Sequence, residues 1–262
     1  MIHRNALIEW RVHTPWKELR FVEQDLVLSR VLTTIYQDSY LRTRLAFRGG
    51  TALHKLFLKP PSRYSEDVDL IQIIPEPIGE TLDMLKELLS FLGNPSTQSK
   101  KSNNTLVFRY EAEEPQGVQM RLKIEINCRE HFSVFGHEIL PFEVDNQWYS
   151  GKCDIVTYQI DELIATKVRA LYQRRKGRDL FDLFRALQSG QLNVEASIDC
   201  YKKYMDYQGN RIPTKMEYKQ NLDGKMEDEN FRSEIFPFLS QDIEYDIDVA
   251  HETILKQIVS LM

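Results

Sequence analysis

The chain has 262 residues, of which 42% are hydrophobic and 28% charged, a balance typical of a folded globular protein rather than of a disordered one. We find no apolar run near the roughly 20 residues that cross a bilayer and no apolar signal core, so we expect a cytoplasmic protein without a membrane partner. The net charge of −5 argues against indiscriminate binding to nucleic acid, which requires a basic surface.

Charge is unevenly distributed along the chain. From Leu183 to the end, 9 Lys and Arg stand against 14 Asp and Glu, whereas the rest of the chain is neutral. We therefore expect an anionic substrate to meet the first part of the chain, where local basic clusters such as residues 174–178 matter more than the total charge.

The three cysteines indicate neither a zinc site nor a disulfide framework. Cys128, Cys153 and Cys200 are an odd number, lie far apart and form no CxxC pair. They are predicted to be reduced structural thiols, as in most proteins of a reducing compartment.

Hydrophobic periodicity predicts a helix, then a mixed α/β region, then a helical bundle. Helices are predicted at residues 16–44, 81–92, 160–174 and 178–187, with several more within 194–261 that break at Gly209, Pro213, Gly224 and Pro237. Strands are predicted at residues 68–74, 106–110, 118–127, 136–142 and 153–158, and a polar loop at 93–104. The pattern predicts an α+β fold with a mixed sheet flanked by helices in residues 1–158 and a helical domain in residues 159–262.

Asp67 and Asp69 stand at the start of a nearly continuous apolar strand. Residues two apart on a strand point the same way, so both carboxylates would face one side. Such a pair suits Mg²⁺, which takes one or two carboxylates plus phosphate oxygens, and two metals held in this way stabilise both the attacking and the leaving oxygen of a phosphoryl transfer. A solvent-facing acidic strand end is the alternative; the apolar strand that follows favours a polar patch at the mouth of a core.

Gly49, Gly50 and Thr51 lie one helix before this strand. Adjacent glycines let the backbone approach a phosphate, and a helix that begins next to them offers free N–H donors. Thr51 is predicted to be the N-cap of that helix. A tight turn of purely structural origin is the alternative, and the position before Asp67 favours phosphate binding.

Glu125 is the third acidic candidate, on the polar face of the alternating strand 118–127. There it would align beside Asp67 and Asp69, and would complete a metal site or take a proton from an acceptor hydroxyl. An ordinary solvent-facing glutamate fits the spacing equally well.

Lys167 interrupts the apolar stripe of the helix predicted at 160–174, and Arg174 lies two turns further along the same face. Because burial of an unpaired lysine is costly, we expect Lys167 to reach a cleft and an anion. A lysine whose stem covers apolar surface fits the pattern as well.

Asp179 and Asp182 are three residues apart and share one helix face. They are predicted to pair with Arg174 or Arg178 and to orient those side chains. A helix-capping role for Asp179 after Gly177 is the alternative.

Four sequence blocks, in this order, resemble the AbiEii/AbiGii toxin family of the nucleotidyltransferase superfamily. The blocks are residues 47–53 (FRGGTAL), 63–70 (RYSEDVDL), 123–126 (KIEI) and 167–183, where the matching positions are Lys167, Ala170, Arg174, Arg178, Asp179, Asp182 and Leu183. The resemblance spans residues 45–187, and the helical remainder is less distinctive. It implies a polymerase-β-like nucleotidyltransferase core, followed by a helical domain that contributes to the cleft.

The resemblance also implies transfer of NMP from an NTP, with pyrophosphate leaving and with Mg²⁺ as cofactor and Mn²⁺ as an alternative. The implied metal ligands are Asp67, Asp69 and Glu125, although the family usually has Asp where this chain has Glu125. The implied catalytic residues are Asp67, Asp69, Glu125, Lys167, Asp179 and Asp182. The implied substrate-binding residues are Gly49, Gly50, Thr51, Arg63, Ser65, Lys167, Arg174 and Arg178.

Members of this family act as toxins in toxin–antitoxin or phage-abortive systems, and some modify tRNA 3′ ends. The first hypothesis is therefore an NMP-transferring toxin that uses an NTP, modifies RNA, above all tRNA, and has a cognate antitoxin. A protein or small-molecule acceptor is the second hypothesis, and a catalytically silent binding module is the third. The joint presence of both acids, Lys167 and the glycine turn weighs against the third. The sequence leaves open which NTP is used, whether an antitoxin binds directly, and the oligomeric state.

Overall fold

The computed structural model of this protein describes residues 2–100 and 102–262. The chain divides into two compact units, Met1–Tyr158 and Gln159–Met262. The first unit contains a mixed sheet of seven strands with helices, and the second unit is helical. The predicted α+β class, a mixed sheet flanked by helices with further helices after it, is confirmed.

Within the described residues, the first unit begins with two helices, contains helices and strands up to β2 and then continues mainly as strands. Its α-helices are α1 (Arg4–Trp10), α2 (Leu19–Gln37), α3 (Gly49–Ala52, continued by a π-helical turn, Leu53–Phe57) and α4 (Gly79–Leu88). Its strands are β1 (Leu45–Arg48), β2 (Asp67–Gln72), β3 (Ser96–Lys100), β4 (Asn103–Glu111), β5 (Gln119–Asn127), β6 (His137–Val144) and β7 (Gly151–Tyr158). The order of the strands across the sheet is β3-β4-β5-β2-β1-β7-β6.

Alternation along the central strands gives the sheet one buried face and one polar face. β2 runs antiparallel to β1 and parallel to β5. Val68, Leu70 and Ile124 are buried. Asp67 and Lys123, which are in register, point to the opposite face because side chains alternate along a strand.

Helix α2 covers the buried face of the sheet and packs against β5, β6 and β7. Its apolar side chains are almost completely buried, among them Leu28, Val31, Leu32 and Ile35. Gln24 of α2 adds a polar link, because its amide donates to the backbone oxygen of Arg121 (3.0 Å) and accepts from the Tyr110 hydroxyl (2.5 Å). Helix α2 therefore fills the core with its apolar side chains and holds β5 in position through Gln24.

The second unit is a bundle of helices. The α-helices are α5 (Ile160–Gln173), α6 (Gly177–Gln188), α7 (Val194–Tyr207), α8 (Lys215–Met226), α9 (Glu229–Ser233) and α10 (Ile247–Gln257). α5 packs against α6, α7 and α8, and α6 packs against α9 and α10. A buried hydrogen bond from the Tyr204 hydroxyl to the Glu162 carboxylate (2.7 Å) links α7 to α5.

Several element boundaries differ from the prediction, and three of the differences have a clear physical reason. The long helix ends at Gln37 because the Asp38 carboxylate accepts from the backbone N–H groups of Tyr40 and Leu41 and starts a 3₁₀ turn. The predicted loop at 93–104 contains β3, whose five residues are all exposed and polar, so that no apolar periodicity revealed it. Gly224 lies inside α8 rather than at a break, where open space surrounds it.

No helix in the described part of the chain combines the length and the apolar character needed to cross a membrane.

The three cysteines are free thiols, as predicted. Burial, together with the negative charge of Asp154, raises the pKa of Cys153 to about 12. Burial, together with Glu162, raises the pKa of Cys200 to about 12. At pH 8 only roughly one such thiol in 10,000 is a thiolate, the species that reacts.

We therefore expect a Cys128→Ser variant to react very slowly with a thiol-specific chromogenic disulfide at pH 8 while it is folded. In denaturant, both remaining thiols should react rapidly. Fast release of one equivalent of chromophore from the folded variant would contradict the raised pKa values of Cys153 and Cys200.

Candidate active site

The candidate active site begins at the glycine turn between β1 and α3. Gly49 has a φ of +81°, a conformation that L side chains rarely adopt, and a Cβ placed there would lie 2.1 Å from Oδ2 of Asp69. Arg48 is in register with Asp69 in the antiparallel β1–β2 pair. The Asp69 carboxylate therefore packs directly on the backbone of the turn, where only glycine fits.

Thr51 has a different role from the predicted one. α3 begins at Gly49, and its N-cap is Arg48 without a side-chain capping hydrogen bond, so the prediction of Thr51 as N-cap is wrong. Instead, the Thr51 hydroxyl lies 2.7 Å from the Ser65 hydroxyl and donates to the backbone oxygen of Asp67 (2.5 Å). Thr51 thus ties the helix after the turn to the first residue of the carboxylate strand.

Asp67 and Asp69 share the polar face of β2, as predicted. Each is in register with a residue of β5, Asp67 with Lys123 and Asp69 with Glu125. All four residues are intermediate in exposure. The strand pairing therefore brings Glu125 alongside Asp69, on the same face of the sheet.

The Lys123 ammonium forms an ion pair with the Glu125 carboxylate. Burial alone would lower the pKa of Lys123, but the hydrogen bond with Glu125 and the negative charges of Asp67, Glu125 and Asp69 raise it above its usual value. Lys123 thus remains a cation in the middle of this acidic face. Sequence reasoning missed it, although its place two residues before Glu125 on an alternating strand put it on the same face.

The donor set suits a hard divalent cation that also binds substrate phosphates. Asp67 and Asp69 present oxygen ligands side by side, and Mg²⁺ needs only one or two protein carboxylates when phosphate oxygens complete its shell. No group of three or more His, Cys, Asp or Glu side chains within the described residues is arranged as a metal site. The role of Glu125 as a third ligand stays a prediction, since its carboxylate pairs with Lys123.

A buried ion pair supports the turn from behind. The Arg48 guanidinium donates to Glu130 (2.8 Å), whose side chain is 1% exposed. Burial alone would lower the pKa of Arg48, but the charge and hydrogen bond of Glu130, with smaller contributions from Tyr158 and Asp69, raise it. Arg48 stays charged beside Asp69. Its position directly before the glycine pair, in the motif FRGG, is the sequence signal for this role.

Two cavities adjoin these residues in the first unit. The larger, about 1240 Å³, is lined in part by Thr51, Arg63 and Ser65, and reaches the turn without including Asp67 or Asp69. The smaller, about 140 Å³, is lined by Glu66, Asp67, Arg121 and Lys123. Of the predicted substrate-binding residues in this region, Thr51 and Ser65 are in contact with each other. Arg63 is buried, and its guanidinium donates to the backbone oxygen of Tyr64 (3.0 Å).

The second unit contains a buried cluster of charges around Lys167. Its ammonium lies 2.9 Å from Oδ1 of Asp179 and 2.8 Å from Oδ2 of Asp182, both fully buried. Arg174 donates to both oxygens of Asp179, at 2.6 and 2.8 Å. Burial alone would raise the pKa of Asp179, but the charge of Lys167 and the hydrogen bond and charge of Arg174 lower it. Lys167 is therefore paired with two acids inside the bundle, and the Arg174 side chain, 51% exposed, is the accessible cation of the cluster.

The predicted pairing with Arg174 or Arg178 is confirmed for Asp179 with Arg174. Arg178 pairs with Glu234 (3.5 Å) and its backbone N–H donates to the same carboxylate, so it does not pair with Asp179 or Asp182. Asp179 does not cap α6, which begins at Gly177 with Lys176 as N-cap and no side-chain capping bond.

Comparison with protein families gives the class of the chain. A family model described as "Nucleotidyl transferase AbiEii toxin, Type IV TA system" matches residues 30–256, which include the glycine turn, both strand carboxylates and the Lys167 cluster. The chain belongs to this family. It is a nucleotidyltransferase of a toxin–antitoxin family, and the resemblance found in the four sequence blocks is confirmed.

Solved structures of low sequence identity share the fold of this AbiEii-family protein. It is similar to MenT4, a nucleotidyltransferase toxin from Mycobacterium tuberculosis, with a TM-score of 0.66 and 15% identity over 100% of this chain and 90% of that one. It is also similar to JHP933 from Helicobacter pylori, with a TM-score of 0.57 and 16% identity over 92% and 91% of the two chains. A sequence search of curated proteins finds no match.

Substitution of Gly49 by Ala should lower both the activity and the stability of this AbiEii-family protein by more than the unfavourable φ alone would. A non-glycine residue at this φ costs about 1–2 kcal/mol, and the added methyl group would also displace the Asp69 carboxylate. We expect loss of nucleotidyltransfer and a free energy of unfolding lowered by more than about 2 kcal/mol in urea titrations.

Gly93→Ala is the matched control, because Gly93 has the same φ of +81° with open space around its α-carbon. Gly93→Ala should lower the free energy of unfolding only by the cost of the unfavourable φ, and it should keep nucleotidyltransfer activity. Equal effects of the two substitutions would contradict the packing of Asp69 on Gly49.

Substitution of Lys167 by Met should destabilise the second unit strongly. It would leave the buried Asp179 and Asp182 carboxylates without a shared cation, a change that typically costs about 3–5 kcal/mol. Lys202→Met removes an exposed lysine from a pair with Asp199 and should cost less than about 0.5 kcal/mol. A comparably small loss for Lys167→Met, measured by urea unfolding, would show that the cluster contributes little to folding.

Proposed function

We propose that this protein is a toxin that transfers NMP from an NTP to a hydroxyl group of RNA, with tRNA 3′ ends as the favoured acceptor. The observation that carries the proposal is the packing of the Asp69 carboxylate on Gly49, with Asp67 on the same face of the strand. This packing puts a phosphate-binding type of turn and a metal-binding type of carboxylate pair in one place.

The chemistry is an in-line displacement at the α-phosphorus of the NTP. A bond forms between the acceptor oxygen and the phosphorus, the bond to the bridging oxygen of the β-phosphate breaks, and pyrophosphate leaves. The backbone N–H groups of Gly50 and Thr51 would bind phosphate oxygens, and Glu125 would take the proton of the attacking hydroxyl. The resemblance also implies phosphate binding by Arg174, whose guanidinium is exposed in the second unit.

Asp67 and Asp69 would hold Mg²⁺, with Mn²⁺ as an alternative. The bound ion would neutralise charge that develops on the phosphate oxygens during transfer. Glu125 is in register with Asp69 on the same face, where it would either take a proton or complete the metal shell.

The family supports the proposal that the activity is toxic and that a cognate antitoxin counteracts it. The RNA acceptor rests on the resemblance to family members that modify tRNA 3′ ends. A protein or small-molecule acceptor is the competing proposal, favoured by the acidic residues that follow Leu183.

Asp67→Asn and Asp69→Asn should each lower label transfer at least about 100-fold, since each removes a carboxylate that stabilises the transition state. The assay incubates the protein with each of the four α-³²P-labelled NTPs, total RNA and Mg²⁺, followed by separation of RNA from protein. Asp83→Asn, an exposed aspartate on α4, is the matched control and should keep full activity.

Label found in protein, with none in RNA, would exclude the RNA acceptor and favour the competing proposal. Equal labelling by Asp67→Asn and Asp83→Asn would exclude the carboxylate pair as the catalytic centre.

A further inference from the structure

The polar face of the sheet carries three basic side chains next to the carboxylate pair. Arg109 of β4 and Arg121 of β5 are directly opposite each other in the antiparallel pair, and Lys123 follows two residues along β5. Side chains of residues in register lie on the same face, so Arg109, Arg121 and Lys123 share the face of Asp67. We call these three residues the β4–β5 basic track.

The two arginines of the track are exposed and directly opposite each other. Like charges directly opposite each other in a sheet destabilise it. In the part of the chain that the structure describes, neither guanidinium forms an ion pair, and Arg109 makes only a 3.4 Å hydrogen bond to Ser96. Elsewhere, Arg232 pairs with Asp248 at 2.7 Å, so this sequence does place carboxylates beside arginines. A bound anion would relieve the repulsion between Arg109 and Arg121.

The track begins at the carboxylate pair itself. Asp67 is in register with Lys123, and the cavity of about 140 Å³ is lined by Asp67, Lys123, Arg121 and Glu66. The hydrogen bond from Gln24 to the backbone oxygen of Arg121 (3.0 Å) fixes β5 at this point. An anion held by the track would therefore lie close to the reacting groups.

Strand order decides which substrate the track serves. β2 lies between β1 and β5, with the glycine turn at the end of β1 and the track on β5 and β4. Asp69 packs on Gly49, on the β1 side. In-line transfer requires the attacking and leaving oxygens on opposite sides of the phosphorus. With the triphosphate on the glycine turn, the β5 side of β2 would be open to the acceptor.

We propose that the β4–β5 basic track binds the phosphodiester backbone of the RNA acceptor and directs its 3′ end to Asp67. This inference rests on the proposed RNA acceptor and adds the surface that recognises it. Residues two apart on a strand are about 6.6 Å apart and neighbouring strands about 4.8 Å apart, so a chain of phosphates engages all three cations together. A single carboxylate of a protein acceptor is too small to contact all three together.

The test compares Arg109→Gln/Arg121→Gln with Arg4→Gln/Arg42→Gln, which neutralises two exposed arginines on α1 and in the turn after α2. Lys123 is left unchanged because of its ion pair with Glu125. Binding of fluorescently labelled, unfractionated tRNA is measured without NTP at several salt concentrations. Transfer kinetics with α-³²P-NTPs then give KM for tRNA and for the NTP separately.

We expect the track variant to bind tRNA about tenfold or more weakly, because charged hydrogen bonds to phosphates are lost. The slope of log affinity against log salt should fall by about 1 for each phosphate contact removed. KM for tRNA should rise while KM for the NTP stays constant. The track variant should unfold at the same or a higher urea concentration, because the substitution removes a like-charge pair.

Labelled tRNA product with an unchanged KM for tRNA in the track variant would overturn this inference and leave the proposed function standing. An equal loss of tRNA binding in Arg4→Gln/Arg42→Gln would also overturn it, since total charge would then explain the effect. Absence of labelled RNA with the unchanged protein, or label on protein alone, would overturn both the inference and the RNA acceptor.

Discussion

The approach of the Asp69 carboxylate to the α-carbon of Gly49 is the contact on which the candidate site depends. It is possible because β1 and β2 are antiparallel, so that the turn leaving β1 lies beside the first residues of β2. The hydrogen bond from Thr51 to the Asp67 backbone closes the same loop from the other side. These two contacts therefore tie the turn and the helix after it to the carboxylate strand.

The charged residues around Lys167 in the second unit form a buried cluster in which they pair with one another. Lys167 is enclosed by Asp179 and Asp182, and Arg174 grips Asp179 with two hydrogen bonds. Two cations and two anions compensate each other, which makes burial tolerable in a low-dielectric interior. The consequence is a fixed position for Arg174, whose guanidinium is held on one side and open to solvent on the other.

How far the sequence predicts the site depends on the range of each interaction. Asp67 and Asp69 were predictable because strand alternation is local, and the alignment of Glu125 followed from the same rule applied to β5. The ion pair of Glu125 with Lys123 was not predictable in this way, because several charged residues share the face and the sequence does not show which two side chains pair. The N-cap prediction for Thr51 is wrong because its hydroxyl donates instead to the backbone oxygen of Asp67, 16 positions away in the sequence.

The secondary structure was likewise predictable where it depends on local sequence pattern, and not where it depends on pairing with a distant segment or on one side chain. The helix at 160–174 and the strand at 118–127 were found because they have a clear apolar face. β3 was missed because each of its side chains is polar and exposed, and it is a strand only by pairing with β4. The end of α2 depends on one side chain, Asp38, that competes with the helix for backbone N–H groups.

The polar character of β3 also affects how this protein meets other chains. β3 and β6 are the outer strands of the sheet, and an outer strand with free backbone groups invites a strand from another molecule. β3 presents only polar residues ending in Lys100, and β6 carries Pro141, which has no N–H to donate. Sheet extension is disfavoured at both edges, which protects the free toxin from edge-to-edge aggregation.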